Sequence, residues 1–294
     1  MHGSSLQPGR LVDRWEAPGG VPLDRLIREH LGLSWKDAKR LVTTGKVHVD
    51  GDLCATPQMI PEPGAEITVN TDRRRPSHRP SLSEDRLLHQ DEHLLVVDKP
   101  PGLVSVPPTP TGESTALDHL IRLTGALVLP VHRLDHGTSG LMLFARTDAT
   151  GAALDTMFRR HAVRRTYLAI CHGHPDAPAR WAEPLTLQKP DEPRRKVSAI
   201  TNLLSAEPVG PTALLHLALE TGRWHQVRLH AAIHGHPLLG DRDHGDPTLD
   251  KPLRPARLAL HSHTLELTHP ITGEELNFEL PLPSDLADLL SAFC

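Results

Sequence analysis

The sequence has few aromatic residues and no long apolar run. Of its 294 residues only four are tryptophan, four phenylalanine and one tyrosine, so a core must be built mainly from Leu, Val and Ala. No apolar stretch approaches the roughly 20 residues of a membrane-spanning helix, so we expect no membrane association. The first 18 residues contain Asp13 and Glu16 and no apolar core, which predicts neither a signal peptide nor a transit peptide.

Cysteines are also few, and the net charge is small. The three cysteines, Cys54, Cys171 and Cys294, are far apart and form no CxxC pair, which predicts free thiols in a cytoplasmic protein. The net charge of −4 neither favours nor excludes a polyanionic partner, because phosphate groups respond to local clusters of charge. His230 and His234 lack the glutamate of a zinc-protease motif, so we expect no metal site.

Motifs of several large enzyme classes are missing as well. The chain contains no P-loop, no combination of kinase loops and no G-x-S-x-G elbow, which excludes those nucleotide-dependent and hydrolytic classes. Its function must therefore be sought in other constellations of residues.

Composition and periodicity divide the chain into four parts. Residues 1–18 are rich in Gly, Ser and Pro and are expected to be flexible. Residues 19–70 have two helical patterns followed by strand patterns, which predicts a small α/β domain. Residues 71–84 are basic, contain prolines and are expected to be a linker. Residues 85–294 mix strands and helices without βαβ repetition, which predicts an α+β domain.

The small domain resembles the S-four RNA-binding module. The matching segments are residues 23–27, 33–34, 38–42, 45–51 and 63–67, and Ser34 with Asp37 forms a capping box at the second helix. The resemblance implies RNA binding, and the basic residues available for phosphate contacts are Lys36, Lys39, Arg40 and Lys46. Trp35 stands where the family often has an arginine. A helical pair with a solvated charged face is the alternative.

The segment 130–145 carries the strongest chemical signal. Its polar tip places Asp135 between Arg133 and His136, and a small-residue turn leads from there into an apolar run. An aspartate beside an arginine at the mouth of a buried strand suits a carboxylate that stays ionised in a pocket. The same residues are also compatible with an ordinary surface aspartate in a turn.

Three other residues offer partners for that carboxylate. Tyr167 is the single tyrosine of the chain, and Arg223 and Arg228 flank the start of a predicted helix that ends near Gly235. A catalytic carboxylate needs a cation to stay charged, and a buried arginine needs a carboxylate. Either arginine satisfies this requirement. The same residues also fit an ion pair with a purely structural role.

The second domain resembles the RluA-type pseudouridine synthases along nearly its whole length. The matching segments are residues 94–104, 132–141, 165–169, 221–230 and 235–241, in that order. The resemblance implies a fold with a mixed, mainly antiparallel sheet and a central cleft, and isomerisation of uridines in structured RNA without a cofactor. Large-subunit ribosomal RNA is the family's commonest substrate and transfer RNA the second. A non-catalytic RNA-binding or ribosome-assembly factor is the rival interpretation, and a monomer is expected.

The same resemblance implies roles for individual residues. Asp135 would be the nucleophile, Tyr167 would stack on the base and help remove a proton from its carbon, and Arg228 would hold Asp135 ionised. The residues implied at the substrate are Arg133, which would fill the space of the everted nucleotide, Arg223, Leu260 and His132.

The chain departs from the family pattern at three positions. His136 replaces a common arginine, Arg165 replaces a frequent lysine, and His244 precedes Gly245 where tyrosine is usual. These departures affect expected RNA contacts and local packing, while the proposed catalytic residues are all present.

Overall fold

The computed structural model describes residues 12–43, 46–50, 52–54, 57–70, 80–106, 115–187 and 195–293. The chain divides into two compact units between residues 79 and 80. Within the described ranges, no helix has the length and apolar character needed to cross a lipid bilayer.

The first unit packs two short helices on an antiparallel sheet. Its elements are β1 (Val12–Glu16), α1 (Leu23–Leu31), α2 (Trp35–Thr43), β2 (Val47–Val49), β3 (Asp52–Leu53) and β4 (Glu66–Asn70), and the strand order is β1-β4-β2-β3. The predicted cap at α2 forms, because Ser34 Oγ accepts a hydrogen bond from the Asp37 amide at 3.2 Å and donates to Asp37 Oδ2 at 2.7 Å. A glycine often ends a helix, and the sequence has Gly45 just after α2; this residue lies outside the described part of the chain.

The N-terminal boundary differs from the sequence prediction. Residues 12–16, placed in a flexible segment, form β1 and pair with β4 from Val12↔Asn70 to Glu16↔Glu66. The Trp15 ring also stacks on His30, with ring centroids 4.0 Å apart. Composition gave the wrong prediction for this segment because the hydrogen bonds that order it come from a strand at least fifty residues away.

The expected linker is also shorter at its C-terminal side. Leu82 is buried in the core of the second unit, and a 3-10 turn spans Glu84–Arg86. Because Leu82 packs as a core residue, residues 80–84 belong to the second unit. Residues 71–79, which include the Arg73–Arg75 run, lie outside the described part of the chain.

The second unit is a large mixed sheet with helices packed around it. Its elements are β5 (Leu87–Gln90), β6 (Leu94–Lys99), α3 (Ala116–Thr124), β7 (Leu129–Pro130), β8 (Ser139–Ala145), α4 (Asp148–Arg159), β9 (Arg164–His172), β10 (Ala179–Trp181), β11 (Leu185–Leu187), β12 (Arg195–Val197), β13 (Thr201–Val209), β14 (Thr212–Leu219), α5 (Gln226–Ile233), α6 (Pro247–Leu253), β15 (Leu260–Thr268), β16 (Glu275–Glu279) and α7 (Ser284–Ser291). The main strand order is β10-β13-β14-β9-β15-β8-β6-β5, with β16 on β15 and β7 on β8.

This topology agrees with the predicted α+β class. All strand pairs of the large sheet are antiparallel except β8 with β15, which run parallel. Residues 257–261 and 265–267 each have a strand pattern, which by itself predicts two separate strands, whereas the structure has the single strand β15. That strand bulges between Ser262 and Thr264 where it pairs with β9, and the bulge interrupts the alternation that a sequence pattern needs.

Strand β8 is the centre of the second unit. All seven of its residues are buried, because β6 and β15 cover its edges and apolar clusters cover both of its faces. Met142 and Phe144 face one cluster, and Leu141 and Leu143 face the other. A strand buried on both faces has a nearly continuous apolar sequence, which explains the apolar run of residues 141–145.

Gly140 is required where β8 meets β15. Its φ is +106°, and a Cβ at this position would lie 2.2 Å from the Ser262 carbonyl oxygen. No side chain fits there, because this is the point at which Ser262 pairs with Gly140. The close approach holds the turn that precedes β8 against β15.

Candidate active site

Hydrogen bonds fix the backbone on both sides of Asp135. Ser105 Oγ donates to the Leu134 carbonyl at 2.7 Å and accepts from the Leu134 amide at 3.1 Å. The Thr138 amide donates to the Asp135 carbonyl at 3.1 Å, and the Gly102 amide donates to the His136 carbonyl at 2.8 Å. These bonds fix the turn before β8, so the Asp135 side chain extends from a rigid backbone segment.

Arg228 of α5 is the cation beside that carboxylate. Its Nη1 lies 3.3 Å from Asp135 Oδ2, while Nε and Nη2 bind the two oxygens of Asp241 at 2.8 and 2.5 Å. Nη2 also donates to Asp243 Oδ2 at 2.7 Å. A fork-to-fork contact of this kind fixes the guanidinium plane, so Asp241 determines where Nη1 points.

The charges of this group stabilise one another. Burial acts to lower the pKa of Arg228, but hydrogen bonds to Asp241 and Asp243 outweigh it and raise that pKa above its ordinary value. Burial acts to raise the pKa of Asp241, but the hydrogen bond and charge of Arg228 outweigh it and lower that pKa. Both groups therefore stay charged, and Nη1 remains a cationic donor for Asp135.

The loop that leads into α5 is held by a buried glutamine. Gln226 Oε1 accepts from Thr221 Oγ1 at 2.7 Å and from the Arg223 amide at 3.1 Å. Its Nε2 donates to the Ile200 carbonyl at 2.9 Å. These contacts make a tight loop of residues 221–225, in which His225 adopts a left-handed φ of 53°.

His225 faces the second oxygen of Asp135. Its Nε2 lies 3.8 Å from Asp135 Oδ1, and its Nδ1 is 2.7 Å from His244 Nε2. Burial lowers the pKa of His225 to about 4, with the Asp135 charge acting in the opposite direction, so the ring is neutral at pH 7. A proton on Nε2 suits the facing carboxylate, and His244 then donates to Nδ1.

Asp135 lies where two cavities meet. A wide cleft of about 910 Å³ and a smaller pocket of about 60 Å³ beside α5 (the inner pocket) share five lining residues: Arg133, Asp135, Tyr167, Leu219 and Arg223. The inner pocket is completed by α5, by His225 and by Leu260. A carboxylate at this junction can act on a group that enters from the wide cleft and is held in the inner pocket.

Most residues predicted for the second domain lie around these cavities. Tyr167 of β9 and Leu260 of β15 are buried and line the inner pocket. Arg133 is exposed and lines both cavities. Arg223 is also exposed, and its Nε donates to the Ser198 carbonyl at 2.9 Å. Between the two arginines considered for Asp135, the structure brings Arg228 into contact.

His132 has a different setting from the other predicted residues. It lines the wide cleft, but its Nε2 accepts the Leu143 amide at 2.9 Å and its ring packs on Phe158 with centroids 5.1 Å apart. Burial, aided by the charge of Arg165, lowers the pKa of His132 to about 3. The ring is therefore a neutral wall of the cleft that also bonds to β8.

The predicted phosphate-binding residues belong to the first unit. Lys36, Lys39 and Arg40 are exposed on α2, and Lys46 is half-buried just before β2. Arg40 Nη2 lies 3.0 Å from Asp37 Oδ1. Lys36 and Lys39 are three residues apart and lie near each other on the helix surface.

Sequence reasoning gave no role to several residues of the site. Asp241 and Asp243 fix Arg228, and Trp224 packs on His225 in the wide cleft. Asp241 lies in one of the segments used for the family resemblance, so its presence there was the available signal. Trp224 also lies in a matching segment, residues 221–230, but only the fold shows that it lines the same cleft as Asp135.

Comparisons with known proteins agree with this geometry. A family model described as RNA pseudouridylate synthase matches residues 93–233. The chain is 33% identical to ribosomal large subunit pseudouridine synthase D of Zymomonas mobilis, across 95% of this chain and 96% of that protein. It is 37% identical to the protein of the same name from Nitrosomonas europaea, across 74% of this chain and 67% of that one.

A solved structure gives the same result for the fold. Human RNA pseudouridylate synthase domain containing 4 superimposes with a TM-score of 0.58 at 27% identity, and the match covers 71% of this chain and 93% of that one. The family match spans the segment that carries Asp135, Tyr167 and Arg228. The chain therefore belongs to the RNA pseudouridylate synthase family and is an RluA-type pseudouridine synthase, an isomerase that acts on RNA.

Proposed function

We propose that this synthase converts uridines of large-subunit ribosomal RNA, with Asp135 as the residue that begins the reaction. The relatives from Zymomonas mobilis and Nitrosomonas europaea, at 33% and 37% identity, carry that substrate in their names. The observation that carries the catalytic assignment is the position of Asp135 between the two cavities, with Arg228 at 3.3 Å.

The reaction breaks one bond of the nucleoside and forms another. The bond between sugar C1′ and base N1 breaks, a bond between C1′ and base C5 forms, the C5 proton leaves and N1 gains a proton. Asp135 begins it, either by attacking the sugar or by promoting loss of the base. Arg228 pairs with the carboxylate and orients it, since Asp241 holds the guanidinium in place.

The walls of the inner pocket hold the base while it turns. Tyr167 and Leu260 both line this pocket, where the phenol stacks on the base and assists removal of the C5 proton. Arg133, exposed at the junction of the cavities, fills the space that the everted nucleotide leaves. Eversion costs a few kcal/mol, and a guanidinium that stacks and hydrogen-bonds offsets part of that cost.

The first unit serves as the RNA-gripping module. Lys36 and Lys39 are exposed on α2, at the segment that resembles the S-four module. Cations that contact phosphates supply affinity without reading sequence. Binding energy from this unit then adds to base recognition in the cleft.

Replacing the carboxylate tests the catalytic assignment. We expect Asp135→Asn to abolish pseudouridine formation on a large-subunit ribosomal RNA transcript while RNA affinity persists, because the amide keeps the shape and loses the charge. The matched control is Asp288→Asn, the same change at an exposed position of α7. Full activity of Asp135→Asn would reject Asp135 as the nucleophile.

Mapping in cells tests the substrate. Pseudouridines in ribosomal and transfer RNA are compared between cells with the gene, without it, and with the Asp135→Asn gene. We expect large-subunit sites to disappear in the last two strains. Loss of pseudouridines confined to transfer RNA would identify transfer RNA as the substrate instead, and the proposed chemistry would be unaffected.

A further inference from the structure

Trp224 is a large apolar side chain left open inside the reaction cleft. About 52% of it is exposed, and it lines the same cleft as Asp135 and Tyr167. An exposed tryptophan in a cleft is available to cover a flat apolar ligand, since indole offers a large π-face. It belongs to none of the roles assigned above.

Two histidine rings hold the indole ring of Trp224 in one orientation. It stacks on the His225 ring with centroids 3.5 Å apart and an angle of 18° between the planes, and it meets the edge of His244 at 6.1 Å and 87°. His225 is itself fixed by the bond from His244 and faces Asp135. One face of the indole is therefore covered, and the exposed part includes the opposite face.

The position of the Trp224 ring in the cleft suits contact with the nucleotide next to the target uridine. Trp224 packs on the face of the His225 ring, Asp135 lies 3.8 Å from the Nε2 edge of the same ring, and both residues line the wide cleft. A flat group on the outer face of Trp224 therefore lies in the cleft from which the uridine reaches Asp135. Eversion of the uridine removes a stacking partner from each of its neighbours. A fixed aromatic face in this place restores stacking for one of them.

The charges around the ring suit an RNA strand. Arg159, Arg165 and Arg223 line the cleft with Trp224. The Arg165 guanidinium carbon lies 5.0 Å from the centre of the Phe158 ring, so that cation is held over a rigid surface. Cations that follow the backbone, combined with an aromatic face for a base, are the two parts of a single-strand binding groove.

We propose that Trp224 is a stacking platform for the nucleobase directly next to the target uridine in the RNA. This proposal rests on the function proposed above and adds a base-binding subsite to it. The platform accepts any base, with stronger binding to a purine because stacking grows with ring overlap. A single platform serves one neighbour only, on either the 5′ or the 3′ side.

The test measures binding of an RNA hairpin with a uridine in its loop and an adenine on each side. Two further hairpins lack the base on the 5′ or on the 3′ side. Each is titrated with the full-length wild type, Trp224→Ala, Trp224→Phe and the surface control Ile271→Ala, whose side chain is 50% exposed in the turn between β15 and β16. Circular dichroism verifies that each variant is folded.

We expect Trp224→Ala to weaken binding of the complete hairpin by about 5- to 100-fold, the usual value of one aromatic–base stack. Trp224→Phe keeps most of the affinity, and Ile271→Ala keeps all of it. On one of the two abasic hairpins the wild type loses affinity to a similar extent, and Trp224→Ala then costs little more. A 2-aminopurine in that position loses fluorescence when bound to the wild type and keeps it with Trp224→Ala.

Three results would overturn the platform. They are equal affinity of wild type and Trp224→Ala, the same loss from Trp224→Ala on all three hairpins, or a wild type without measurable affinity for the complete hairpin. Pseudouridine formation is scored separately on ribosomal RNA. If RNA affinity depends on Trp224 but no pseudouridine forms, the proposed function is rejected and the platform stands. If pseudouridine forms but RNA affinity does not depend on Trp224, the platform is rejected and the proposed function stands.

Discussion

Arg228 is anchored by Asp241 more firmly than by Asp135. Its Nε and Nη2 bind the Asp241 oxygens at 2.8 and 2.5 Å, whereas its Nη1 is 3.3 Å from Asp135 Oδ2. The Asp241 side chain is 1% exposed and that of Asp135 is 19% exposed. The cation is thus fixed by a buried partner, and the carboxylate at the cavity junction remains accessible to substrate.

This anchoring predicts a large effect of Asp241→Asn. The amide cannot hold both nitrogens of Arg228 as an anion does, so Nη1 loses its orientation towards Asp135. We expect conversion to fall by about 100-fold, the usual consequence of misplacing a reacting group by about 1 Å. Breaking a buried pair also costs about 3–5 kcal/mol of stability, so single-turnover assays are run at a temperature where melting curves show the variant folded.

The matched control is Asp243→Asn, because Asp243 contacts the same guanidinium with a side chain that is 62% exposed. An exposed ion pair contributes less than about 1 kcal/mol, so we expect a change in activity below about 5-fold. Equal losses in the two variants would contradict the role given to Asp241.

Gly140→Ala tests the close approach of β8 to β15. The added Cβ would lie 2.2 Å from the Ser262 carbonyl oxygen at a φ of +106°, so the strands must move apart. We expect the free energy of unfolding to fall by about 2 kcal/mol or more, measured by urea denaturation.

Gly151→Ala is the control for that experiment. Gly151 lies inside α4, and a Cβ there meets its nearest neighbour, Leu129 Cδ1, at an ordinary 3.6 Å. Alanine in a helix interior is about 0.5–1 kcal/mol better than glycine, so we expect unchanged or increased stability. A loss as large as that of Gly140→Ala would show that the strand contact is not the cause.

Buried histidines predict a loss of stability in mild acid. Burial lowers the pKa of His132 to about 3 and those of His225 and His261 to about 4, against about 6.5 in an unfolded chain. The unfolded chain therefore binds more protons between these values, and the free energy of unfolding decreases as the pH falls from about 6.5 towards 4. Their contribution is fully present above pH 6.5.

Urea denaturation at several pH values measures this dependence. We expect a decrease of at least about 2 kcal/mol between pH 7 and pH 5, and a shallower dependence in His132→Gln, which retains an acceptor for the Leu143 amide. Constant stability across this range in the wild type would show that these rings accept protons without penalty.

Salt dependence tests the RNA-gripping role of α2. Each phosphate contact contributes about 0.9 to the slope of log affinity against log salt concentration. For Lys36→Gln with Lys39→Gln we expect that slope, on a ribosomal RNA transcript, to become shallower by about 2.

Arg25→Gln is the matched control in the first unit, because that exposed arginine is already paired with Glu29 at 2.9 Å. Its slope should equal that of the wild type. A double lysine variant with the wild-type slope would mean that α2 does not contact phosphates.

The local patterns of the sequence were sufficient for several elements. The apolar run after the polar tip predicted β8, which is buried throughout, and the Ser34 and Asp37 pair predicted the cap of α2. These features depend on residues close together in the chain, so composition and spacing carry them. The strand β1 was missed because its partner β4 is distant in sequence.

The sequence by itself determined which chemistry is available: one aspartate in a polar tip, one tyrosine and two candidate arginines. Only the tertiary structure decided that Arg228 contacts Asp135, that Asp241 fixes Arg228, and that Trp224 shares the cleft. The physical reason is distance along the chain. Asp135 and Arg228 are 93 residues apart. They meet because the sheet pairs β8 with β15 and the loop held by Gln226 places the start of α5 beside the turn before β8.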